Sequence, residues 1–154
     1  MNAPQPSPKA QFAALLSRFP PEIVALARRC LLRLRRAFPG SYELVYDYPG
    51  SLVVSFSMSE RGYEGIVVLA IDPRRVRLYF DKSVSDPKGL LQGSGGKVRF
   101  VTLEAASDLD DGDVKALIKA AIKRSGVQFP RGRSSRMIIK SASKKRKPRR
   151  TGRT

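Results

Sequence analysis

The stretch DPKGLLQGSGGKVR, Asp86 to Arg99, combines glycines, a serine and basic side chains that could together bind an anion in this 154-residue chain. Four of its fourteen residues, Gly89, Gly93, Gly95 and Gly96, lack a side chain, so the backbone can adopt positive φ and turn successive N–H groups toward one point. With Ser94, Lys97 and Arg99 beside them, Gly93 to Lys97 form a candidate nest for phosphate or carboxylate. The same glycines also suit a wide turn that has only to reverse the chain. Spacing excludes a Walker-type phosphate loop, which needs a glycine five residues before its Gly-Lys pair and a Ser or Thr after it. Around Gly96-Lys97 those places are held by Leu91 and Val98, and the segment that follows alternates like a strand instead of opening a helix.

A second cluster, Asp108, Asp110, Asp111 and Asp113, has the residue type for a hard cation but not the spacing. Counted from Asp108, the glycine of an EF-hand loop would fall sixth and its last carboxylate twelfth, whereas Gly112 is fifth and Lys119 is twelfth. A helix start accounts for the same residues, with Asp110 as N-cap and Asp111 and Asp113 in a first turn that favours negative charge. Weak cation binding remains the alternative use of the cluster.

The absence of histidine removes the commonest general base, the imidazole metal ligand and every Ser-His or Cys-His nucleophile pair. One cysteine, Cys30, cannot form an internal disulfide or a thiolate metal site, and it fits a reducing compartment. No segment has the charged and apolar regions of a signal peptide, and no run of about 18 apolar residues occurs. These features predict a cytoplasmic, non-enzymatic protein with no membrane partner.

Net charge is +17, from 30 basic and 13 acidic side chains. Residues 130–154 hold eleven of the bases and no acid, so the first 129 residues carry only +6. In the tail, Lys144, Lys145, Arg146, Lys147, Arg149 and Arg150 can neutralise RNA or DNA phosphates through a sequence-independent, salt-sensitive contact. The run contains no aromatic for base stacking, and a generic basic tail with loose affinity for any polyanion fits equally well.

Positioning elements follow from periodicity. Residues 1–9 read as a disordered arm, 10–141 as one domain and 142–154 as a disordered basic tail. Gln11 to Phe19 reads as a short helix. Pro21 suits the first turn of a second, in which Ile23, Leu26, Ala27, Cys30, Leu31, Leu34 and Phe38 make an apolar stripe opposite Arg28, Arg29, Arg33, Arg35 and Arg36. From Tyr42 the period becomes two, giving strands at Tyr42 to Tyr48, Ser51 to Met58, Glu64 to Ile71, Val76 to Phe80 and Val98 to Leu103. A last helix uses Val114, Leu117, Ile118, Ala121 and Ile122 and ends at Gly126. Arg136 to Ser141 is expected to pair at a sheet edge. The order predicts an α+β two-layer sandwich, a five-stranded antiparallel sheet with N- and C-terminal helices on one face (α-α-β5-α).

Four segments carry a family resemblance: VYDYPGSLVVSFSMSER (Val45 to Arg61), DPKGLLQGSGGKVR (Asp86 to Arg99), DLDDGDVKALIKAA (Asp108 to Ala121) and MIIKSASKKRKPRR (Met137 to Arg150). In order and spacing they resemble the YdhG-like proteins, domain of unknown function 1801. The resemblance implies a two-layer fold close to frataxin and an iron-chaperone role, with iron as cofactor or cargo. This chain departs from that role in being basic and free of histidine. The matched motifs carry over no iron ligand, so Asp108, Asp110, Asp111 and Asp113 are the carboxylates available to such a carrier. The preferred expectation is a small accessory protein whose anionic partner, a nucleic acid or other polyanion, is met where Gly93 to Lys97, Arg99 and the tail converge.

Overall fold

A computed structural model describes residues 6–62, 65–93, 98–130 and 132–140. Two helices come first, α1 (Pro8–Leu16) and α2 (Pro21–Ala37), followed by β1 (Tyr42–Tyr48), β2 (Ser51–Ser57), β3 (Gly65–Ile71), β4 (Val76–Asp81) and β5 (Val98–Leu103). A 3-10 turn (Ala106–Asp110) leads into α3 (Gly112–Ser125), and β6 (Arg136–Ile139) closes the described chain. The first helix begins inside the segment read as an arm, because Ser7 caps it by accepting the Ala10 N–H at 3.1 Å and Pro8 fits its first turn.

The sheet order is β5-β4-β3-β2-β1-β6. All neighbouring pairs are antiparallel except β1 with β6, which run parallel from Tyr42 opposite Arg136 to Val45 opposite Ile139. The five-stranded antiparallel sheet read from periodicity is therefore corrected to a six-stranded mixed one. At four residues β6 is too short to show a period, and its direction is set by how the chain returns after α3. Edge pairing of the Arg136 segment, expected from its three apolar residues, is present.

The architecture is α+β in roughly two layers. Val45, Leu52, Val54, Phe56, Val67, Leu69, Leu78, Phe80, Val101 and Leu103 share one strand parity and join Phe12, Leu16, Ala27, Cys30, Leu31, Leu34, Leu117 and Ile118 of the helices in one buried cluster. Glu43 and Asp47 have the same parity as Val45, and each meets a cation from the helical layer. Arg35 of α2 grips Glu43 through Nε and Nη2 at 2.7 and 2.9 Å, and Arg18, just past α1, reaches Asp47 at 2.7 Å.

Candidate functional site

The candidate anion loop divides in two. Ser94, Gly95, Gly96 and Lys97 lie outside the described residues. Before them, Asp86 folds the chain on itself: its carboxylate accepts the N–H groups of Leu90 and Leu91 at 2.8 and 3.0 Å, and its carbonyl accepts that of Gly89 at 3.1 Å. Donors that could have faced an anion there are bound within the loop. Gln92 and Phe100 exchange backbone hydrogen bonds of 2.8 and 3.0 Å, so the glycine segment links two antiparallel arms of a hairpin on the β5 edge. Gly93 has φ +105°, a backbone conformation that favours glycine, and a Cβ there would only touch the Phe100 ring, at 3.4 Å. Arg99 is exposed on β5 and shares the parity of Val101 and Leu103, on the helix side of the sheet edge.

Tail residues Lys144, Lys145, Arg146, Lys147, Arg149 and Arg150 also lie outside the described residues. Their root is β6, while the glycine hairpin hangs on β5, and these strands are the two opposite edges of the sheet. Five inter-strand steps of about 4.8 Å put the two anchors roughly 24 Å apart, so the described structure does not bring them together.

The aspartates are brought near one another, but each has a local task. Asp108 accepts the N–H groups of Glu104 and Ala105 at 2.8 and 3.1 Å, holding the 3-10 turn. Asp110 pairs with Arg33 of α2 at 3.0 Å and ends that turn. Asp111, one residue later than the sequence suggests, is the N-cap of α3 and accepts from Asp113 and Val114 at 3.1 and 3.3 Å. The 3-10 turn occupies Asp110, which displaces the cap. Asp113 bonds Lys88 at 2.9 Å, and that carboxylate holds the Lys88 ammonium above its ordinary pKa. Among the described residues no three Asp, Glu or Cys side chains converge in a metal-holding group.

Cys30 is fully buried, and desolvation pushes its thiol up to about 12 despite Arg33 nearby, so it packs as a small apolar residue.

What sequence spacing could not show is that the basic rows of α2 and α3 meet. A groove of about 520 Å³ lies between these helices, with Leu34, Leu109, Ile118 and Ile122 in its floor. Arg33 and Arg36 stand on one wall and Lys115 and Lys119 on the other. Its single carboxylate, Asp110, is already bonded to Arg33. The rows are recognisable separately, Arg33 with Arg36 and Lys115 with Lys119, but nearly 80 residues of chain separate them.

Among the described residues no helix is long and apolar enough to cross a membrane. No protein-family model, no curated protein and no solved structure matches the chain.

Proposed function

We propose that this chain is a non-enzymatic binding protein for an anionic partner, a nucleic acid or a comparable polyanion. The observation that carries this reading is the α2/α3 groove, where Asp110 is taken up by Arg33 and the other three cations, Arg36, Lys115 and Lys119, meet no further acid of the groove. Uncompensated cations on two rigid helices keep a fixed field, and a polyanion that displaces their counterions gains free energy that depends steeply on salt. The tail adds a second, independent source of such contacts, and Arg99 a third at the far edge. Resemblance to the YdhG-like family is compatible with an accessory role and supplies no catalytic group.

The test is titration of a labelled duplex DNA and of heparin across a salt series. Lys115→Gln with Lys119→Gln should lower affinity and make the log-log salt slope shallower by about 0.9 for each phosphate no longer neutralised. Binding that is independent of salt, or unchanged in the double variant and after removal of residues 144–154, would refute the proposal.

A further inference from the structure

The face of the sheet turned away from the helices sorts its aromatic residues. Phe12, Phe19, Phe38, Phe56 and Phe80 are buried in the core. All four described tyrosines, Tyr42, Tyr46, Tyr48 and Tyr79, together with Phe100, have the opposite strand parity. A tyrosine on an open sheet presents an apolar ring whose hydroxyl can stay wet, which suits a surface that is alternately bare and covered.

These rings form two platforms. On β1, Tyr46 and Tyr48 lie nearly parallel, at 13° with centroids 6.2 Å apart, and Tyr48 is 38% exposed. On β4 and β5, Tyr79 and Phe100 are 5.2 Å apart, and the Arg77 guanidinium lies 4.5 Å over the Phe100 ring while Nη1 donates to the Tyr79 hydroxyl at 3.2 Å. Arg77 Nε is buried with no hydrogen-bond partner. Tyr79 is in register with Leu44, four residues along β1 from Tyr48, so three inter-strand steps and that offset set Tyr48 and Tyr79 roughly 20 Å apart. Between them run half-buried Val53 on β2 and Val68 and Ala70 on β3, while Leu44 and Ser55 of the same parity are buried, 0% and 4% exposed.

Charge selects the occupant. Arg136 and Arg133 stand 5.8 and 5.3 Å from the Tyr42 ring at one margin, and Arg77 sits at the other. Among the described strand residues Asp81 is the one carboxylate of this parity, and Ser83 and Arg124 bind it at the strand end. The chain beyond Lys140 starts beside β1 and holds seven further cations. These cations share the sign of the face's margins, which favours an anionic occupant of the face. Aromatic rings interleaved with arginines on a sheet match bases that stack and phosphates that pair, a chemistry available only where bases are unpaired.

We propose that this face binds single-stranded nucleic acid, with bases stacking at Tyr48 and at the Tyr79–Phe100 platform and with Arg77 facing the backbone between them. The proposal rests on the polyanion reading above and names its partner class.

The full chain is titrated by fluorescence anisotropy against a labelled oligo-dT 15-mer, a duplex of the same length, and heparin. Variants Tyr48→Ser, Tyr79→Leu and Arg77→Gln are compared after circular dichroism has confirmed their folding. Tyr48 is exposed enough for its variant to fold even if Tyr79→Leu does not. Wild type should prefer oligo-dT, and each folded variant should lose about tenfold in oligo-dT affinity while duplex and heparin affinities stay within twofold. Oligo-dT binding unchanged in Tyr48→Ser and Arg77→Gln would overturn this proposal and leave the polyanion reading intact. Failure of the wild type to bind any of the three would overturn both.

Discussion

Glu43, like Asp47, ties the sheet to a cation of the helical layer. Its side chain is 2% exposed and is gripped by two N–H groups of Arg35, whose own side chain keeps 30% exposure. Removing the cation strands a buried carboxylate, so Arg35→Ala should destabilise by about 3 kcal/mol in urea unfolding. Arg35→Lys should recover only part of that, because an ammonium cannot reproduce the two-pronged contact. Cys30 gives a pH signature. Burial raises its folded pKa from 9.0 to about 12, so the thiol stays neutral when folded but ionises in the unfolded chain as pH passes 9.0. Its contribution is complete below the unfolded pKa and is lost as pH rises toward the folded one. The stability of wild type relative to Cys30→Ala should therefore fall by roughly 1 kcal/mol between pH 8 and pH 10. A difference that is flat with pH would show that the thiol is not desolvated.

The ends of α3 make the element-scale case. Asp111 caps its start, and Gly126, at φ +71°, ends it by giving its N–H to the carbonyls of Ile122 and Lys123. Asp111→Ala should cost about 1 kcal/mol, whereas Asp111→Asn should cost a few tenths, since an amide oxygen caps nearly as well. Neither change, nor Asp113→Asn, should alter titrations with Fe(II) or Ca²⁺, because these carboxylates already serve backbone N–H groups or Lys88. Micromolar metal binding abolished by them would restore the iron-carrier alternative. The strands were largely legible: β1 and β5 run where alternation put them, β2 and β4 differ by one residue at an end, and β3 matches from Gly65 to Ile71, Glu64 lying outside the described residues. Cross-strand burial imposes the period of two directly on side-chain type. The 3-10 turn was not legible, because five residues held by the Asp108 carboxylate show no periodicity of their own. It shifted the α3 cap from Asp110 to Asp111.

For the whole molecule, the tail and the folded body should separate experimentally. Removing residues 144–154 should leave the melting temperature nearly unchanged, since β6 and the apolar cluster are complete without them. If the tail neutralises about five phosphates, the log-log salt slope for duplex DNA should flatten by about 4 on truncation. A truncated chain that unfolds would instead make the tail part of the sheet's support. Extending the deletion to residue 136 should destabilise markedly, because it strips β1 of its edge partner and removes Met137, which is 9% exposed in the fold, from the apolar cluster.

Sequence by itself determined the α+β class, the two amphipathic helices, the five strands of the alternating stretch and the edge pairing of the Arg136 segment. It also determined the charge excess and the lack of histidine, because all of these follow from side-chain type and short-range period. Tertiary structure alone decided that β6 runs parallel to β1, that Arg33 and Arg36 face Lys115 and Lys119 across one groove, and that the described tyrosines share the face turned away from the helices. It also set the roots of the glycine hairpin and the tail at opposite sheet edges. The physical reason is common to these cases. Local pattern fixes which face of an element is apolar, but which polar faces become neighbours depends on strand order and on where the chain returns, and neither leaves a periodic trace in the sequence.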